Sequence, residues 1–196
     1  MTPNTNCSVW KGPSVETHET KRFSMSALSI LYLVLPFPLI FILHDAEEMM
    51  VQHRWMLTHR ESLLSRFPKM RPMLIHLSSL STKAFSIAAL EELVVLLLLT
   101  CHVLADGAYA MEIWSALFMA FSIHLLVHIA QAVIVKGYVP GFATSLILLP
   151  YAAYGFYSIW LAMSVTELIA WSALGILIMI VNLWFAHWIG LKICGK

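Results

Sequence analysis

Charged residues are unusually scarce in this sequence. Only 12% of its 196 residues are Asp, Glu, Lys or Arg, whereas 60% are hydrophobic and the mean hydropathy is +0.79. Soluble domains do not have this composition. The formal net charge is +1 and no basic stripe is interleaved with aromatics, so we expect no nucleic-acid partner.

Cysteine is also scarce. The three cysteines, Cys7, Cys101 and Cys194, are far apart and form no CxxC pair, which excludes a disulfide framework. The polar residues 1–24 predict a flexible N-terminal tail. No small-residue cleavage site follows the first apolar run, so we expect no cleavable signal peptide.

Long apolar runs, in contrast, occur throughout the rest of the chain. Several approach or exceed the ~20 residues that a helix needs to cross hydrocarbon. The sequence therefore predicts an all-α, polytopic transmembrane helical bundle that forms one domain over residues 25–191, with a short tail at 192–196. The five expected spans are 25–43, 83–104, 111–135, 141–163 and 167–191.

The basic residues between the spans predict an orientation. The segment 51–81 is the most basic connection, and such loops stay in the cytoplasm. We therefore expect a protein of the cytoplasmic (inner) membrane with its C-terminus inside, although three basic residues on the N-terminal tail oppose this. Apolar residues among the basic ones favour an interfacial helix over a plain loop for segment 51–81.

The most informative motif is His44-Asp45-Ala46-Glu47-Glu48, which follows the first apolar run. On a helix, His44, Glu47 and Glu48 lie at i, i+3 and i+4 and therefore share one face. At a membrane edge such groups are costly to desolvate unless they are paired, protonated or bound to a cation.

Other spans carry ligand-type residues at a similar depth. At ~1.5 Å per residue, Glu91 lies about 12 Å, His128 about 10 Å and His187 about 6 Å from the same side of the bilayer. His124 and His128 are an i, i+4 pair, the spacing by which one helix offers two imidazoles to one ion.

Imidazoles and carboxylates together suit zinc, iron or manganese. We predict a divalent metal cofactor, iron or zinc, with enough ligands for a dinuclear centre. His44, Glu47, Glu91 and His128 are the expected ligands, Glu48 is a ligand or general base, and His124 and His187 are further candidates.

Each of these groups of candidate residues can instead have a structural role. Glu47 and Glu48 can form a solvated helix end beside Arg54, and Glu91 with Glu92 can be a structural pair. His124 and His128 can be hydrogen-bonded packing residues, as intramembrane histidines often are. For His187, ligation and packing are equally supported.

The sequence resembles the HxxEE membrane-protein family, through His44-Asp45-Ala46-Glu47-Glu48, His128 and Tyr138-Val139-Pro140-Gly141, over about residues 28–190. This resemblance implies a membrane site built on these residues and no particular reaction. Tyr138 lies at the interface on the side of the site, where its hydroxyl is either a catalytic or substrate contact or a simple interfacial anchor.

We expect a membrane metalloenzyme that acts on a membrane lipid or another apolar small molecule. Oxidative chemistry of the hydroxylase or desaturase type is slightly favoured over hydrolysis. The alternative is a cation or proton carrier that uses the same His and Glu residues. A structural subunit is the third hypothesis, and it leaves the intramembrane carboxylates unexplained.

Overall fold

The computed structural model describes residues 30–194, and these residues are almost entirely helical. A π-helical turn, Ile30–Val34, is followed by six α-helices, with a 3-10 turn at Pro68–Met70. Residues 30–194 contain no strand, which confirms the predicted all-α class. The helices are α1 Phe37–Arg66, α2 Arg71–Ser79, α3 Thr82–Leu104, α4 Ala110–Val135, α5 Phe142–Ala162 and α6 Val165–Cys194.

Helices α3 to α6 match the last four predicted spans, and each is long and apolar enough to cross a membrane. Their apolar side chains face outward to a large extent: the most apolar stretch of α6 is only 11% buried. Such an outer surface suits contact with lipid and not with water. The protein is therefore an integral membrane protein.

The first predicted span, 25–43, lies only partly within the described residues, and the N-terminal tail 1–24 lies outside them. Its described part is the π-helical turn and the start of α1. Pro36 and Pro38 interrupt the helical hydrogen bonds here, since proline has no N–H to donate. The Tyr151 hydroxyl donates instead to the carbonyl of Leu33, at 2.7 Å.

Most of the basic segment 51–81 is helical. Helix α1 continues without a break to Arg66, and α2 then folds back along it. The Arg66 guanidinium donates to the last carbonyls of α4, those of Ile134 and Val135, at 2.6 and 2.9 Å. This contact fixes the C-terminal end of α1 against the C-terminal end of α4 and satisfies carbonyls that a helix end leaves free.

Helix α6 packs closely on α3 and α4. A Cβ at Gly175 would collide with the backbone of Ala116 on α4, and one at Gly190 would collide with that of Ala84 on α3. Small residues at these crossings allow the close approach that drives helix association in membranes. Helix α1 packs against α3 and α5.

An aromatic cluster fills the half of the bundle that lies away from the HxxEE motif. The ring of Phe37 lies 5.3 to 6.0 Å, centroid to centroid, from the rings of Trp114, Phe118 and Phe121. Trp114 and Phe118 are fully buried. The predicted site residues therefore lie at one end of a closed apolar core.

Candidate metal centre

Two helices bring four of the predicted ligands together. Helix α1 contributes His44 and Glu48, one turn apart, and α4 contributes His124 and His128, also one turn apart. One ligand atom from each of the four lies within 4.8 Å of all the others. Four donors around one zinc-sized ion lie about 3.3 Å apart at normal bond lengths, so small side-chain movements close the site.

The contacts inside this group are short. Nε2 of His128 lies 2.9 Å from Nε2 of His124 and 3.2 Å from Oε1 of Glu48. The His44 ring centroid lies 5.0 Å from that of His128 and 5.2 Å from that of His124. His44 is completely buried, and its Nε2 has no hydrogen-bond partner among the described residues.

A buried ring nitrogen without a partner calls for an explanation, because nearly all buried polar groups are paired. Three imidazoles and one carboxylate form a donor set that suits zinc or iron. The group that the structure brings together can therefore hold a divalent metal ion.

Glu47, the other glutamate of the motif, points away from this group and caps helix α5. Its Oε1 accepts from the Tyr138 hydroxyl at 2.6 Å and from the Ala143 N–H at 3.2 Å. Its Oε2 accepts from the Thr144 N–H at 2.7 Å and from the Thr144 hydroxyl at 2.6 Å. A carboxylate is favoured there because a helix N-terminus offers unpaired N–H groups and positive dipole charge.

The same contacts set the tautomer of His44. The single hydroxyl proton of Thr144 goes to Glu47, whose oxygens already accept from two backbone N–H groups and Tyr138. Thr144 Oγ1 therefore accepts from Nδ1 of His44, at 3.0 Å. This assignment leaves the lone pair on Nε2 of His44, the atom without a partner that lies at the ligand group. Hydrogen bonds to the other ring nitrogen have the same effect on metal-bound histidines.

Gly141 lies against the ligand group. Its φ of 79° is in the left-handed region, which favours glycine. A Cβ at this position would lie 2.8 Å from Cε1 and Nδ1 of His128 and 3.1 Å from Oε1 of Glu48. The Tyr-x-Pro-Gly turn thus serves the site twice: Gly141 allows close packing on His128, and Tyr138 binds Glu47.

Tyr138 itself lies outside the ligand group. Burial and the hydrogen bond to Glu47 raise the pKa of its phenol above the usual value. The hydroxyl therefore stays protonated at neutral pH and donates to Glu47. The structure places Tyr138 as a support for Glu47.

Two other predicted ligands lie elsewhere. Glu91 accepts a hydrogen bond from the Asn182 amide of α6 at 3.1 Å, so it links α3 to α6. His187 is paired with His76 of α2, with Nδ1 and Nε2 3.2 Å apart. Similar depth in the bilayer did not imply a common centre, because the helices also differ in lateral position and in the direction of each side chain.

The structure adds three residues that the sequence did not single out as site residues: Thr144, Asp45 and Glu92. Glu92, and not its neighbour Glu91, shares the helix face of Ala88 and Leu96 that lines the interior. The sequence does contain this signal, because small and buried residues recur along α3 in phase with Glu92. Thr144 has no comparable signal, since its role depends on the docking of α5 against α1.

The ligand group opens onto a cavity of about 620 Å³ between α1, α2, α3, α4 and α6. Glu48, His124 and His128 form part of its wall. Most of the remaining lining is apolar and includes Phe41, Met56, Leu74 and Leu117. Its volume is within the range of small-molecule sites.

Together these features define an integral membrane protein of helical architecture with a candidate His and Glu metal centre beside an apolar cavity. The chain belongs to a family described as proteins of unknown function with an HXXEE motif, whose profile matches residues 35–155. This match covers α1 to most of α5, including all four clustered ligands, and confirms the resemblance noted from the motifs. No curated protein and no solved structure matches the chain.

Proposed function

We propose that the protein is a membrane-embedded metalloenzyme that acts on a lipid or another apolar small molecule. The observation that carries the proposal is that three of the four clustered residues, Glu48, His124 and His128, line the 620 Å³ apolar cavity. Transfer of an apolar substrate from the bilayer into such a cavity costs little free energy, because both surroundings are apolar. The chain of the substrate then lies beside the ligands.

In this proposal His44, His124 and His128 hold the metal ion, and Glu48 is a further ligand or a general base. A bound iron ion would supply oxidative chemistry, whereas a bound zinc ion would supply an activated water for hydrolysis. We favour oxidation, because an apolar chain in this cavity presents C–H bonds to the ligand group. Glu47 and Thr144 act on His44 and orient its ring, without touching the substrate.

Metal content tests the first part of the proposal. Purified protein should contain iron or zinc at about one or two ions per chain. His128→Ala and Glu48→Gln should lower this content at least several-fold, because each removes a donor from the group. His102→Ala is the matched control. His102 lies near the C-terminal end of α3, outside the ligand group, and hydrogen-bonds to the Ala108 carbonyl. Metal-free protein that retains activity would contradict the proposal.

Lipid composition tests the second part. Membranes from cells that express the protein should differ in lipid mass spectra from membranes with His128→Ala. Leu117→Trp should fill the cavity at a point about 10 Å along α4 from His124, at ~1.5 Å per residue. This variant should keep its metal and lose the lipid change. Unchanged lipids in all three samples would count against an enzyme of lipid substrates.

The orientation of the protein is part of the proposal. With the C-terminus inside, the ligand group lies towards the cytoplasmic side and the Asp106-Gly107 turn lies outside. The support for this arrangement is the concentration of Lys and Arg in segment 51–81.

A further inference from the structure

Three carboxylates line the cavity at the ligand group: Asp45, Glu92 and Glu48, the last of which also belongs to the group. On α1, Asp45 and Glu48 follow Phe41 at i+4 and i+7, and all three line the cavity. Glu92 reaches the same cavity from α3. Each carboxylate is close enough to the other two for electrostatic repulsion.

Asp45 has no partner that offsets its burial. The residue is 6% exposed, and its carboxylate makes no hydrogen bond or ion pair within residues 30–194. The cavity lining contains no Lys or Arg. A buried carboxylate without a donor or counter-ion carries a large desolvation cost, and two further carboxylates beside it increase that cost.

Glu48 connects this acidic group to the histidines. Its Oε1 lies 3.2 Å from Nε2 of His128, on the side of the three imidazoles. Its second oxygen makes no hydrogen bond within the described residues. That oxygen is therefore available to a further cation, as the second oxygen of a bridging carboxylate is.

We propose that Asp45, Glu48 and Glu92 hold a second divalent cation, and that Glu48 bridges it to the cation of the histidine group. This inference rests on the proposed metal centre and names its second position. An all-oxygen donor set suits manganese, ferrous iron or magnesium. Helical bundles hold paired ions in this way, with inward carboxylates from several helices and metals about 3.5–4 Å apart.

Manganese binding tests the proposal on the full-length protein in detergent, by equilibrium dialysis with Mn²⁺ and by electron paramagnetic resonance. The wild-type chain should bind two Mn²⁺ ions with a spin-coupled spectrum. Asp45→Asn and Glu92→Gln should each halve the stoichiometry and give the spectrum of isolated Mn²⁺. Glu91→Gln is the matched control and should retain two coupled ions, because Glu91 is bound to Asn182.

The retained ion in Asp45→Asn and Glu92→Gln also shows that both variants are folded. Two outcomes overturn the second site: one Mn²⁺ in the wild-type chain that His128→Ala removes, or two ions that persist in both Asp45→Asn and Glu92→Gln. Failure of the proposed metal centre looks different, because the wild-type chain then binds no Mn²⁺ or binds it regardless of His128→Ala.

Discussion

The hydroxyl of Thr144 lies 3.0 Å from Nδ1 of His44, a residue 100 positions earlier in the chain. The same hydroxyl donates to Glu47 at 2.6 Å, so it must accept from the imidazole. Thr144 thereby joins the first glutamate of the HxxEE motif to its histidine. The two glutamates of the motif have separate tasks: Glu48 lies with the ligands, and Glu47 orients His44 through α5.

Replacement of Thr144 should therefore weaken metal binding without removing a ligand. Thr144→Val keeps the shape of the side chain but removes the acceptor for His44, and we expect a loss of about 10–100-fold in metal affinity, the usual effect of a lost second-shell bond. Thr144→Ser keeps the hydroxyl and should restore affinity. Competition titration with a metal chelator measures the metal affinity of both variants. Equal affinity in Thr144→Val and wild type would contradict this role.

Gly141 gives a second prediction, because its position combines backbone strain with a steric conflict. Gly141→Ala forces a side chain into the left-handed region, at a cost of about 1–2 kcal/mol, and pushes its Cβ against His128 and Glu48. We expect a lower melting temperature and reduced metal content.

The matched control for that variant lies four residues earlier. A Cβ at Gly137 meets nothing within 4 Å, so Gly137→Ala should leave metal content at the wild-type level. Thermal unfolding and elemental analysis of the two variants decide the matter. Equal metal content in Gly141→Ala and Gly137→Ala would show that the turn does not support the ligand group.

The sequence predicted the helices better than the directions of their side chains. Apolar length alone located α3 to α6 to within a few residues, because membrane helices need long apolar runs. Glu47 and Glu48, however, are adjacent on α1, and helical spacing allowed both to face the histidines. Which of the two glutamates faces the histidines depends on where the N-terminus of α5 packs against α1. No local sequence pattern in α1 indicates that contact.

Glu91 and Glu92 show the same limit on α3. The two residues point about 100° apart on a helix, so they need not reach the same surroundings. Depth in the span indicated Glu91 as the ligand, whereas Glu92 lines the cavity in the structure and Glu91 is bound to Asn182. The phase of buried alanines, Ala84 and Ala88, four residues apart and in line with Glu92, is the sequence feature that indicates the inward face.

The orientation in the membrane is open to a direct measurement. Ser62 on α1 and Ala108 in the turn before α4 are both exposed and lie at opposite ends of the bundle. In a background without native cysteines, an impermeant thiol reagent added to intact cells should label Ala108→Cys and not Ser62→Cys. The reason is the basic residues of segment 51–81, which retain that side in the cytoplasm. Labelling of Ser62→Cys alone would show that the protein has the opposite orientation.

Transport across liposomes separates an enzyme from a carrier. A carrier needs polar groups or water that reach both sides, whereas Phe37, Trp114 and Phe118 close the core beyond the ligand group. We therefore expect reconstituted protein to move neither protons nor divalent cations above the rate of empty vesicles, as measured with entrapped fluorescent indicators. Glu48→Gln is the informative variant, because it changes the charge of the ligand group and keeps its size. A cation or proton flux that wild-type protein supports and Glu48→Gln abolishes would establish the carrier, since an enzyme site closed on one side has no route for it.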